Sequence, residues 1–458
     1  MLAAVQPSGP VACLLEPPHA QTILEALARL GPDRAVIAIV TEEALPEICA
    51  CADLSEALAA HRLFVLTSPG QLSQLYDLHP GLSLPSYFIR LSFLDDVRAG
   101  RLIGEVQASL GPVMERQKAE GVRLREAAGP VAGGNVCVLG GRRFRLWGDG
   151  GQLLLDAGGS GVLLDTDDPV TATTHAILRA AQGCRAVVSA DIWRHVLRDL
   201  LPAELPWHVW LTAADVTDVP PFSFAGPHDQ LWVPQESWRR AAVAAGWPAG
   251  RTRLVVPPPL AVECDADGPF ALIADTTPLT TPADIEEYSS LRLLWEAIRD
   301  ELLHNPQRVG DSAQAYLESR RTKLGLRADQ LDSRRFIGHL VLAAYQQGVA
   351  RQLSGQGVPL AVWGQGWDLP EVASRTQLAA GVVRGVIVDR AGLAVALAGA
   401  RGLVDWRVSG GPVLMEASGV PLVRPGEILR GQRPRATAGA LGVGLVQALE
   451  EVRTADAG

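Results

Sequence analysis

The chain has 458 residues, 48% of them hydrophobic and 20% charged, which is enough apolar content to bury the cores of two or three domains and too much for extensive disorder. A formal charge of -9 argues against a nucleic-acid binder, because no lysine- or arginine-rich face offsets the acids. Of six cysteines only Cys49 and Cys51 lie close together, which excludes a paired zinc-binding spacing and reads as reduced thiols of a cytoplasmic protein.

The first twenty residues lack a basic leader region, and Glu16 with two prolines interrupts their apolar run, so no secretion signal is expected. The most apolar long segment, Leu378–Val404, carries Arg384, Asp389, Arg390 and Arg401 and is not expected to span a membrane. From Val11 to Pro69 the pattern is strand (VACLL), helix (QTILEALARLG), strand (AVIAIV), helix (LPEICACADLSEALAAH) and strand (LFVLT), a Rossmann-like alternation. Its first turn, Leu15-Glu16-Pro17-Pro18-His19, has no glycine and offers no backbone cradle for a cofactor phosphate, which disfavours a methyltransferase built on this domain. Tyr87–Ala128 reads as amphipathic and helical. Gly129-Pro130 and Gly133-Gly134 then place a boundary near residue 130.

A second α/β series occupies residues 131–265. VCVLG, GVLLD, AVVSAD, HVWLTAAD and QLWVPQ are strand-like, and several end in an acid. Asp191 and Asp215, at strand ends, are candidate bases, as is His175 in THAIL, where a structural histidine is the competing reading. Asp165-Thr166-Asp167-Asp168 is open to two readings: a D-x-D metal site, or a loop capping a helix that begins near Thr171. The two-lobed pattern downstream favours the cap, so no metal is expected, and Asp168 stays a candidate base beside an interdomain cleft. In RTRLVVPPP, Arg253 reads from the residues alone as a solvated arginine at a strand start.

The third series, residues 266–458, opens with a strand at Phe270–Ala274 and a loop carrying Asp275, Thr276, Thr277 and Pro278. A charged helical insert over about 282–335 follows, then a helix at Leu340–Leu353. Further strands are expected at Leu360–Trp363, Val386–Val388, Leu403–Asp405 and Val420–Val423. In WGQGW, Gly364 and Gly366 permit close backbone approach, and Trp367 is either a wall for a nucleotide base or a core residue. Gly410, Gly411 and Pro412 open a helix with Glu416 one turn in. Its amides suit an anion and Glu416 suits ribose hydroxyls; alternatively Gly-Gly-Pro is punctuation and Glu416 only offsets the helix dipole. Ala438–Val452 closes the chain.

The succession of strand, WGQGW, Gly381–Val383, small-residue helix, strand and GPVLMEASGVPLV resembles the nucleotide-sugar half of GT-B glycosyltransferases, nearest to the spore-maturation CgeB-like group. The opening domain, with its helix ending in Gly31-Pro-Asp-Arg and then ADLSEAL, resembles that of the flagellin-modifying motility accessory factors. The resemblance implies an N-terminal Rossmann-like domain (1–130) followed by a GT-B pair: a first, acceptor-side lobe (131–265) and a second, nucleotide-sugar lobe (266–458). It implies transfer of a sugar from a nucleotide-diphosphate donor to a protein or glycan acceptor, with no tightly bound cofactor. Arg253 resembles a family arginine near the donor phosphates, with Arg251 as the alternate match. The donor would be held by Arg253, Asp275, Thr276, Gly364, Gly366, Trp367, Gly411 and Glu416. A degenerate scaffold that binds a nucleotide or partner without turnover is the alternative.

Overall fold

The computed structural model describes all residues except 1–9, 31–33, 92–93, 132, 142–143, 145–160, 167, 169, 172, 198–200, 213–221, 258–259, 261, 311, 380, 388, 405–420, 431–442 and 455–458. Expectations for Asp215, Gly411 and Glu416 fall outside the described residues.

Five consecutive apolar residues, Val11–Leu15, form β1, and every one of them is buried, so both faces of this strand are covered. Val11, Cys13 and Leu15 face the long helix Asp96–Ala127, while Ala12 and Leu14 face the helix Ala20–Leu30. With β2 (Ala35–Ile39), β3 (Leu63–Leu66) and β4 (Tyr87–Ile89), β1 makes a parallel sheet in the order β3-β2-β1-β4. β4 corrects the expectation of continuous helix from residue 87. Tyr, Phe and Ile favour a pleated surface, and the helix starts only at Asp96, where the Asp95 side chain accepts from Arg98 N at 2.7 Å.

The middle sheet holds β5 (Asn135–Leu139), β6 (Gly161–Leu164), β7 (Cys184–Ala190), β8 (Trp207–Trp210), β9 (Gln230–Val233) and β10 (Thr252–Val256). The third sheet holds β11 (Phe270–Ile273), β12 (Leu360–Trp363), β13 (Val383–Gly385), β14 (Gly402–Val404) and β15 (Leu422–Val423). The final strand, β16 (Val443–Gly444), returns to the middle sheet, giving the order β16-β10-β9-β8-β7-β5-β6, whereas the third sheet runs β13-β12-β11-β14-β15. The helix Leu445–Thr454 lays Leu445, Ala448 and Val452 on the middle sheet, and the same buried cluster includes Ala271, Leu403 and Leu422 of the third. All described strand pairs are parallel, so the protein is an α/β chain with three parallel sheets compatible with Rossmann-like lobes.

The expected strand at Val386–Val388 lies three residues too late. Val362 N donates to Val382 O at 2.9 Å and Gly364 N to Gly385 O at 2.8 Å, which pairs β12 with Val383–Gly385. Gly385 adopts a φ of 106°, and the chain then turns Ile387 into the core beneath it.

In the third sheet β11 leads to β12 on one side, while its other neighbour β14 leads away to β15. In the middle sheet β5 leads to β6 while its other neighbour β7 leads away to β8. The carboxyl ends at these two reversals are where open α/β sheets form crevices.

Candidate functional site at the carboxyl ends of the strands

At the reversal of the third sheet, the loop after β11 is held by three separate elements. Its Ala274 N and Thr276 N donate to Trp363 O and Gln365 O, both at 2.9 Å, and Asp275 Oδ1 accepts from Gln365 N at 2.8 Å. From the helix Leu342–Gly355, the fully buried Gln347 donates through Nε2 to Thr276 Oγ1 at 3.0 Å and Thr277 O at 2.8 Å. From the helix Ser289–His304, Trp295 Nε1 donates to Leu279 O at 3.2 Å. Thr277 Oγ1 also reaches His339 O at 3.4 Å, inside the widened helical turn Ile337–Val341. The result is a rigid shelf with Asp275 exposed on it and Thr276 buried behind.

Asp275, Thr276, Gly364, Gly366 and Trp367 are therefore brought together, but several of them for a reason other than the expected one. Gly364 has a φ of 142° and Gly366 of 83°, and a Cβ on either would stand 2.0 Å from Ala274 O or 2.1 Å from Thr276 O. What approaches these glycines is the chain's own backbone. Trp367 is likewise a core side chain: it is 1% exposed, and its Nε1 donates to Ala274 O at 2.6 Å, leaving no ring face for a nucleotide base. Gln347, which sequence reasoning passed over, carries a signal in retrospect, since Gln346-Gln347 interrupt the apolar first half of this helix, LAAYQQGVA, with side chains that need partners.

At the reversal of the middle sheet stands Asp191, directly after β7, with a φ of 57° that a non-glycine residue adopts only under constraint. The constraint is its carboxylate, which accepts from Thr212 N at 2.8 Å and from the Thr212 hydroxyl, tying the end of β7 to the end of β8. Asp191 thus occupies the right edge for a base, with both oxygens engaged.

The other expected residues lie elsewhere. Asp168 holds a turn, accepting from Val170 N at 2.9 Å, and meets His61 of the first domain at 3.4 Å. The following helix is capped by Thr173 instead, whose side chain accepts from Ala176 N at 3.2 Å. Beside this pair, burial first and then His61 hold the His79 imidazole below its ordinary pKa, with Asp168 opposing. His175 packs toward the long helix, its Nε2 3.1 Å from Glu120, and Glu120 also pairs with Arg179. Burial works against the Glu120 carboxylate, but Arg179 and His175 outweigh it and hold its pKa low. Arg253 sits at the amino end of β10, ion-paired with Glu451 of the C-terminal helix, and lines a cavity to which no residue of the third sheet contributes.

Among the described residues no group of three His, Cys, Asp or Glu side chains is arranged to hold a metal, and no helix is long and apolar enough to cross a membrane. No family model matches the chain, and no curated protein matches it significantly. The class that fold and edge residues define is an α/β protein with three parallel sheets and acids at the two reversal points.

Proposed function

We propose that the chain is a glycosyltransferase of GT-B architecture that moves a sugar from a nucleotide-diphosphate donor to a protein or glycan acceptor. The middle sheet would carry the acceptor side and the third sheet the donor side. One observation supports this most: β11 and β14 are neighbours whose connections leave in opposite directions. The Asp275 shelf therefore leaves the sheet from the same carboxyl edge at which β14 ends at Val404. In such a crevice a helix start can take the diphosphate, and a carboxylate one turn in can take the ribose hydroxyls. Asp191, at the corresponding edge of the middle sheet, is the described acid best situated to act toward an acceptor.

A non-catalytic scaffold is favoured by a different observation. Gly364, Gly366 and Trp367 are committed to internal contacts, and each oxygen of the Asp191 carboxylate accepts a bond from Thr212. Donor hydrolysis separates the two readings. With uridine- and guanosine-diphosphate sugars, the enzyme is expected to show a raised melting temperature and to release nucleoside diphosphate. A thermal shift without release, with or without candidate acceptors, supports the scaffold.

A further inference from the structure

At the opposite, amino edge of the middle sheet lies a cavity of about 530 Å³, within the size range of small-molecule sites. Four adjacent strands, β7 to β10, contribute to it. His208 of β8 lines it, 5% exposed, its ring stacked at 5.4 Å and 7° on Trp232. The Nδ1 of this imidazole is buried with no hydrogen-bond partner among the described residues. Beside it stand two guanidinium groups, Arg253 on β10 and Arg251 just before it, the latter braced by Gly226 O at 3.1 Å and by the ring of Phe222 at 5.3 Å. Of the carboxylates nearby, Asp229 is already neutralised by two 2.8 Å bonds from Arg194, and Glu204 is exposed at the rim. Glu451 presents its carboxylate to Arg253.

We propose that this cavity binds the phosphate group of a small phosphomonoester, with Arg251 and Arg253 taking its oxygens and the His208 imidazole completing the pocket. Guanidinium groups suit phosphate because their planar donors meet two oxygens at once. The groups sit on strands and a braced turn, so little ordering is needed on binding. The Glu451 carboxylate makes the contact with Arg253 that a phosphate oxygen would make, so ligand and Glu451 compete for one cation. The site is separate from the carboxyl-edge crevice and stands whether or not sugar transfer occurs.

Calorimetry on the full chain with inorganic phosphate and with glycerol 3-phosphate tests this. Saturable binding is expected, stronger for the ester than for the free ion, and the reverse order would assign the cavity to inorganic phosphate and overturn the phosphomonoester. Arg253→Gln should weaken binding about tenfold, as loss of one charge-assisted contact does. His208→Phe, which keeps the stack on Trp232, should weaken it several-fold, and Glu451→Gln should tighten it by removing the competitor. No saturable binding to the natural chain, equal affinity in Arg253→Gln, or weaker binding in Glu451→Gln would overturn the proposal.

Discussion

Gly364→Ala is expected to destabilise the third sheet by about 3–5 kcal/mol, the sum of a strained positive φ and an overlap that the packed core cannot absorb. The added methyl would stand 2.0 Å from Ala274 O and 2.6 Å from Ala274 C, both backbone atoms. Ala274 cannot retreat, because its N–H is bonded to Trp363 O and its carbonyl to the Trp367 indole. Relief therefore requires separating the ends of β11 and β12, which takes Asp275 and Thr276 with them. Gly250→Ala is the control, since a Cβ there meets nothing within 4 Å. Urea denaturation followed by tryptophan fluorescence should show an early transition in Gly364→Ala and none in Gly250→Ala. Coincident curves would mean that the loop after β12 does not lie against β11 as described.

The second large effect is acid lability centred on His208. Burial pushes its imidazole down to about 4, Arg253 and Arg194 add to that, and Asp229 opposes them. An unfolded histidine takes up its proton near pH 6.5, the folded one only near 4, so between these values the unfolded chain binds more protons. Stability is complete above about pH 6.5 and falls as pH drops toward 4, by about 3 kcal/mol in all at 1.36 kcal/mol per unit. His208→Phe removes this contribution while keeping an aromatic ring on Trp232. Carboxylates titrate alike in both proteins, so the difference between their unfolding free energies isolates the histidine. That difference should grow in favour of the His208→Phe protein as pH falls from 7 to 4. A difference independent of pH would show that His208 takes up its proton alike in the folded and the unfolded chain, despite its burial.

β1 and β2 were legible because their residues are buried on both faces, which turns each strand into an unbroken apolar run, VACLL and AVIAI. β4 was not, because Tyr87–Ile89 is only three residues long and sits close to a strongly helical segment. At the edge strand β13 the sequence misleads, because Val386 and Ile387 look more strand-like than Val383-Arg384-Gly385, although backbone pairing, not side-chain type, defines that edge. The loop after β11 was located by its Asp and Thr residues, but the meaning of Gly364 and Gly366 was not. A glycine says that something comes close, and only the fold says whether it is a ligand or the chain itself. Of the amino-edge cavity only Arg253 and Arg251 stand out in the sequence; Arg185, His208, Gln230 and Glu451 come from three strands and a helix with no common spacing.

Calorimetric titration of uridine and guanosine diphosphates into the natural chain and into Glu416→Gln tests the central claim most directly. A carboxylate bonded to two ribose hydroxyls makes charge-assisted contacts of about 1.5–3 kcal/mol each when well formed, so the substitution should weaken the preferred nucleotide about tenfold, a change of about 1.4 kcal/mol. The melting temperature of the free protein should hardly move if Glu416 stands near a helix start as the sequence predicts, since an acid there contributes only about 0.3–1 kcal/mol through the dipole. Equal nucleotide affinity in the two proteins together with a lowered melting temperature, or no affinity for either nucleotide, would contradict the donor-site assignment and the function built on it.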